Sequence, residues 1–149
     1  MPLLSLLLSA LIAGSPSAPL PGTLPLDEKT FSRLPAATAN LVAHGKSHVC
    51  TGVWLDDLAS AAGLPSGDAL RGPALTIVIV AEAADGYRVA FSLSDIDPKL
   101  GNKKILVTRQ CDGRQLADED GPVRLVVPGE ARAARSVRRL QALRIVTLP

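Results

Sequence analysis

The stretch Leu75 to Ala81, LTIVIVA, decides the fold class, because it is a short, continuous run of apolar and mainly β-branched residues. Such a run is typical of a strand buried at the centre of a sheet. Asp85-Gly86 follows it and predicts a tight turn. Tyr87 to Ser92 is then predicted as the next strand. We therefore expect Leu75–Ala81 to be a buried central strand, with Tyr87–Ser92 as the strand that follows it.

Further strands and short helices are expected on both sides of this pair. Upstream, the alternation of apolar and polar residues predicts a hairpin from Thr38–His44 and Ser47–Thr51, turning at Gly45-Lys46. Other strands are predicted at Lys103–Cys111, which ends at the turn Asp112-Gly113, and at Val123–Val127 and Leu140–Leu148. Short helices are predicted at Glu28–Leu34 with Asp27 as its cap, at Val53–Ala62 before Gly63, and at Ser94–Pro98 with Ser94 as its cap. Some seven strands with a few short helices predict an α+β domain with a mixed, barrel-like sheet.

The N-terminal segment differs from the rest of the chain, which has 149 residues and suits one domain. Leu3 to Ala13 is an almost unbroken apolar run, too short to span a bilayer but typical of the h-region of a signal peptide. The other interpretation is a buried N-terminal helix. We expect a signal peptide at 1–18, a Pro/Gly linker at 19–23 and a folded domain at 24–149. This organisation predicts a secreted or periplasmic protein with no membrane span in its mature form.

Charge and motifs exclude several common functions. The formal net charge is only +2, so a nucleic-acid partner is not expected. The chain has no Gly-Lys-Ser/Thr phosphate loop, no His-Glu-x-x-His and no Gly-x-Ser-x-Gly, so no residue is assigned as catalytic. His44 and His48 are expected to be exposed or in loops, since two ligands are too few for a tight metal site.

Cys50 and Cys111 are the only cysteines of the chain. In an oxidising compartment they suit a disulfide between strand ends. They also suit two separate buried small side chains, and one of them suits a thiolate ligand of a metal ion. Spacing alone does not decide between these three interpretations.

A basic segment near the C-terminus is the second concentration of chemistry. Residues 130–144 contain five arginines and one acid, whereas residues 112–120 contain four acids and one arginine. The planar guanidinium group suits bidentate binding of an oxyanion. Arg135, Ser136 and Arg138, after Pro128-Gly129, are therefore candidates for an anion site. The alternative is a solvated face that pairs with the acidic segment.

Four segments, in this order, carry a family resemblance. They are Thr51-Gly52-Val53-Trp54-Leu55-Asp56-Asp57-Leu58 with Ala62-Gly63, Ala84-Asp85-Gly86-Tyr87 with Phe91-Ser92-Leu93, Cys111-Asp112-Gly113-Arg114-Gln115-Leu116, and Gly121-Pro122-Val123-Arg124-Leu125-Val126-Val127-Pro128-Gly129 with Arg135-Ser136-Val137-Arg138. Together they resemble the oxidoreductase molybdopterin-binding domain of the sulfite oxidase family. The resemblance implies that family's mixed α+β fold, a molybdenum-containing molybdopterin cofactor and two-electron oxo-transfer chemistry. It also implies Cys50 as the metal ligand, with Arg135, Ser136 and Arg138 at the pterin phosphate.

Two functions stay open at this point. In the family, the metal-binding Cys lies further ahead of the Gly-Val helix, whereas here Cys50 directly precedes Thr51-Gly52. One function is an exported molybdopterin-dependent oxidoreductase with an electron-transfer partner. The other is a cofactor-free periplasmic binding or interaction module on the same fold, whose arginines meet a small anion or an acidic protein.

Overall fold

Two antiparallel sheets and three short helices form the part of the chain described by a computed structural model, residues 18–149. The strands are β1 (Thr23–Leu24), β2 (Ala37–Ala43), β3 (Lys46–Trp54), β4 (Ile77–Ala83), β5 (Arg88–Ser92), β6 (Leu106–Cys111), β7 (Arg114–Gln115), β8 (Arg124–Val126) and β9 (Leu140–Thr147). The helices are α1 (Glu28–Ser32), α2 (Leu55–Ala61) and α3 (Leu93–Ile96). The predicted signal peptide lies outside the described residues except for Ala18.

The first sheet has the strand order β1-β9-β4-β5. Its strand β4 carries the sequence that was predicted to be central, and it pairs with β9 on one edge and β5 on the other. Every second side chain of β4 is buried, beginning at Ile77, while the side chains between them are only half-buried. The continuous apolar run therefore has one core face and one partly solvated face. Leu75 and Thr76 belong to a preceding 3-10 turn that follows Gly72-Pro73.

The second sheet has the order β2-β3-β6-β7, and β8 also pairs with β6. The β2–β3 pairing runs from Ala37 opposite Gly52 to Ala43 opposite Lys46, which confirms the predicted hairpin. Its turn centres on His44 and Gly45, whose φ angles are 52° and 73°. β3 pairs with β6 from one end of β6 to the other. β8 also pairs with the first residues of β6, and β7 with its last residues.

The core has two parts among the described residues. The larger part contains buried residues of both sheets and of the helices, and its bulkiest fully buried side chains are Phe91, Leu55, Leu58 and Ile79. The smaller part lies inside the second sheet, where Cys50 packs with five other buried residues, namely Ala37, Ala39, Leu41, Leu106 and Val126. Aliphatic side chains thus fill most of both parts, as the low aromatic content of 3% requires.

The predicted α+β class with short helices is confirmed, but three finer expectations are wrong. Among the described residues the strand pairs are antiparallel, so the sheets are not mixed. The described strands also form two open sheets and no closed barrel. Ser92, not Ser94, caps α3, because the Ser92 hydroxyl accepts the Ser94 N–H. Within residues 18–149, the helices are all too short or too polar to cross a bilayer.

Candidate functional site

A cleft of about 790 Å³ opens at one end of the second sheet. Its volume falls in the range of small-molecule sites. Its wall is built by two hairpins and two later segments. The hairpins are β2–β3 and β6–β7, and the later segments are β8 with the loop before it and the 3-10 turn Ala133–Arg135 with the residues after it. The polar lining consists of His44, His48, Asp112, Arg114, Gln115, Glu119, Asp120, Arg124, Ser136 and Arg138.

Arg124 is the most deeply buried cation of this cleft, with a side chain that is only 6% exposed. Its guanidinium donates to the carbonyl oxygen of Ser136 at 3.0 Å and to a carboxylate oxygen of Asp120 at 3.3 Å. Burial lowers the pKa of Arg124 and the nearby charge of Arg138 lowers it further, while Asp120 acts in the opposite direction. A buried charge is stable only when it is well paired. The wall therefore places a cation, partly compensated by Asp120, beside a second arginine.

Ser136 lies in the same wall and is 4% exposed. Its hydroxyl oxygen accepts the backbone N–H of Val127 at 2.9 Å. This bond ties the chain after the 3-10 turn to the residue that follows β8. Ser136 thus has a structural contact in addition to its place in the cleft.

Arg135 lies outside the lining of the cleft. It makes a bidentate ion pair with Glu130 and stacks over Phe91, with 5.2 Å between the guanidinium carbon and the ring centroid. Lys103 also reaches Glu130, at 3.3 Å. The hydrogen bonds from Arg135 hold the pKa of Glu130 below its usual value. Of the three residues predicted for the anion site, the structure brings Ser136 and Arg138 together in the cleft and directs Arg135 to Glu130.

His48 and Asp112, which no local sequence signal joins, form a polar pair in the lining of the cleft. His48 Nδ1 lies 2.7 Å from one carboxylate oxygen of Asp112, and the other oxygen accepts the N–H of Val49 at 2.9 Å. The hydrogen bond from His48, followed by that from Val49, lowers the pKa of Asp112. His48 was expected to be an exposed or loop residue. It lies on β3, and its side chain is 36% exposed.

Neither a known protein family nor a curated protein matches this sequence.

The two cysteines form a disulfide that joins β3 to β6. Cys50 is fully buried, and Cys111 forms part of the cleft wall. Of the three interpretations that the sequence left open, the structure has the disulfide. The role of Cys50 as a metal ligand stays a prediction, and it requires that this bond be opened, since thiolates are the species that bind metal ions.

The residues present do not fit a molybdopterin cofactor in this arrangement. The sulfur proposed as the metal ligand is bonded to Cys111 and inaccessible, and Glu130 neutralises Arg135. The cleft presents arginine side chains, which are suited to binding an organic or inorganic anion, together with histidine and carboxylate groups that accept hydrogen bonds.

Proposed function

We propose that this chain is an exported, cofactor-free binding module that holds a small anion in the cleft. The observation that carries the proposal is the placement of Arg124, buried and compensated by one carboxylate at 3.3 Å, next to Arg138. An anion between these guanidinium groups relieves their repulsion. It also gains charge-assisted hydrogen bonds in a partly desolvated site, where such bonds are strong.

The proposed scaffold is that of the molybdopterin-binding domain of the sulfite oxidase family. The order of the four segments and the α+β class support this relationship. The basic segment then keeps a role in anion binding while the redox chemistry of the family is absent. A molybdopterin-dependent oxidoreductase is the competing proposal, and metal analysis of the protein exported from a host that makes the cofactor separates the two. Molybdenum in stoichiometric amount would overturn the cofactor-free proposal.

Calorimetric titration with inorganic phosphate at low ionic strength tests the anion site directly. Arg138→Gln removes an exposed cation of the cleft wall, so we expect phosphate affinity to fall roughly 10- to 100-fold, as for the loss of a charge-assisted hydrogen bond. Arg132→Gln is the matched control, because Arg132 is an exposed arginine of the same segment that does not line the cleft. Equal affinities of the two variants, or no saturable binding by the parent protein, would overturn the proposal.

A further inference from the structure

The polar pair His48–Asp112 gives the cleft a hydrogen-bond acceptor. An ionised carboxylate only accepts hydrogen bonds, so the hydrogen that lies between His48 Nδ1 and Asp112 belongs to the imidazole ring when that ring is neutral. The proton of neutral His48 is therefore on Nδ1. Nε2 then carries a lone pair and accepts a hydrogen bond from whatever occupies the cleft beside it.

The lining of the cleft carries both cations and carboxylates, so an inorganic anion would interact favourably with only part of it. Three arginines and three carboxylates line it, so its formal charge is zero when both histidines are neutral. The arginines Arg124 and Arg138 satisfy an anionic group. The lining also offers Nε2 of neutral His48, which is an acceptor, and the exposed carboxylate of Glu119, which repels a second anionic group.

The size of the cleft leads to the same conclusion. A volume of about 790 Å³ accommodates an organic molecule, whereas a single oxyanion fills only a small part of it. Within residues 18–149, the cleft wall contains no Phe, Tyr or Trp side chain, so its aromatic groups are the small imidazole rings of His44 and His48. Its apolar contribution comes from small and aliphatic residues such as Leu41 and Leu116. A saturated, hydroxyl-rich molecule fits this lining better than an aromatic one.

We propose that the ligand of the cleft is a sugar carrying one phosphate or carboxylate group, with the anionic group on Arg124 and Arg138 and a hydroxyl donating to Nε2 of His48. This assignment rests on the proposed function and adds the chemical class of the ligand to it. His48 binds the hydroxyl directly, and Asp112 acts through His48 as a positioning residue.

Calorimetric titrations with glucose 6-phosphate, glucuronate, inorganic phosphate and glucose test the assignment. We expect glucose 6-phosphate to bind roughly 3- to 30-fold more tightly than inorganic phosphate, as one or two additional hydrogen bonds would give, and glucose alone to bind least. Glucuronate distinguishes the two anionic groups: tight binding that depends on His48 would show that a carboxylate serves as well as a phosphate.

His48→Phe removes the acceptor but keeps a planar ring, so it should lower the affinity for glucose 6-phosphate to that for inorganic phosphate and leave the latter unchanged. Asp112→Asn is the second variant, and it keeps the ring of His48. The amide oxygen of Asn can still accept the Val49 N–H, which turns its NH₂ group towards Nδ1 and moves the imidazole proton to Nε2. We expect the same selective loss in this variant.

The outcomes separate the two proposals. The ligand assignment is overturned if the parent protein binds glucose 6-phosphate no more tightly than phosphate, or if His48→Phe weakens both equally while Arg138→Gln still lowers phosphate affinity. In that case the anion site stands without a sugar. Absence of binding by every probe overturns the anion site and the assignment together.

Discussion

At the scale of single residues, the neighbouring strand β6 leaves room only for a glycine at Gly52. A Cβ atom at this position would lie 2.0 Å from the carbonyl oxygen of Val107 and 2.9 Å from Cα of Thr108. Both contacts are backbone atoms of β6, which pairing with β3 holds in place. Gly52 is thus required for the fold, independently of any function that the Thr51-Gly52-Val53 segment suggests.

We expect Gly52→Ala to lower the free energy of unfolding by about 3 kcal/mol or more, because overpacking against backbone cannot be relieved by a rotamer change. Urea unfolding followed by circular dichroism measures this loss. Gly22→Ala serves as the control, since a Cβ there meets nothing within 4 Å. Similar midpoints for the two variants would show that β6 moves aside easily.

Ser136 gives a second prediction at this scale. The buried hydroxyl of Ser136 accepts the Val127 N–H at 2.9 Å, so Ser136→Ala leaves this buried N–H without its partner. We expect a loss of about 1–3 kcal/mol in unfolding free energy. Ser60→Ala on the exposed side of α2 is the matched substitution, and it should be neutral or slightly stabilising, because alanine has the higher helix propensity. Unfolding curves of the two variants that coincide would contradict a structural role for the Ser136 hydroxyl.

At the scale of the elements, local signals predicted the hairpins but not what they bring together. Alternating residues and the Asp112-Gly113 turn, whose φ angles are 54° and 73°, are local features, and both elements form as expected. The pairing of β3 with β6 is not local, since it joins residues 61 positions apart at the disulfide. That register places His48 beside Asp112, so neither the polar pair nor the cleft was visible in the sequence.

Tertiary context also explains the errors at element ends. Leu75 continues the apolar run of β4, yet it lies in a 3-10 turn and is 46% exposed. The apolar run therefore placed the start of the strand at Leu75, whereas β4 begins at Ile77. Arg124 was named only as part of a motif. A charged residue inside the otherwise apolar stretch Val123 to Val127 is the sequence signal that would have suggested its burial.

The β6–β7 turn gives a pH prediction, because Asp112 there accepts hydrogen bonds from His48 and Val49 of β3. The hydrogen bond from His48 is the largest cause, and together with the bond from Val49 it holds the pKa of Asp112 below its usual value of 3.8. A carboxylate with a lowered native pKa contributes stability above its unfolded pKa and loses it as the pH falls through the native pKa. We expect Asp112→Asn to be less stable than the parent at pH 6, and the difference to shrink as the pH falls below 3.8 and through the native pKa of Asp112.

Chemical unfolding between pH 2 and pH 7 measures that difference. Asp118→Asn, an exposed acid of the neighbouring loop, is the control and should follow the parent across the whole range. If the difference between Asp112→Asn and the parent stays constant with pH, the loss comes from the altered turn and not from the charge of Asp112.

At the scale of the whole molecule, the acidic and basic segments meet at the cleft. Asp112, Glu119 and Asp120 of the acidic segment line it together with Arg138 of the basic segment. The sequence offered an anion site and a neutralised face as alternatives. In the structure Asp120 pairs with Arg124, which lies between the two segments, while Arg138 of the basic segment stays exposed. The proposed anion site would therefore sit in a fold of nearly balanced charge, which gives little general attraction for polyanions.

The disulfide then determines how firmly that site is assembled. It closes a loop across a sequence separation of 61 residues, which includes α2, β4, β5 and α3. By chain entropy alone such a loop stabilises the folded state by about 4 kcal/mol. We expect the double variant Cys50→Ala/Cys111→Ala to melt about 10–20 °C lower than the parent, and reduction of the unfolded parent before refolding to lower its melting temperature similarly.

The same reductant applied to the double variant is the control, and it should leave the melting temperature unchanged. If the reduced parent melts as high as the oxidised one, the hydrogen bonds and packing of β3 against β6 hold the sheet without the cross-link. The fold then tolerates reduction of the disulfide, and the metal-ligand hypothesis for Cys50 gains the reduced sulfur that it needs. A large fall on reduction argues against it, because loading the metal would then destabilise the scaffold that has to hold it.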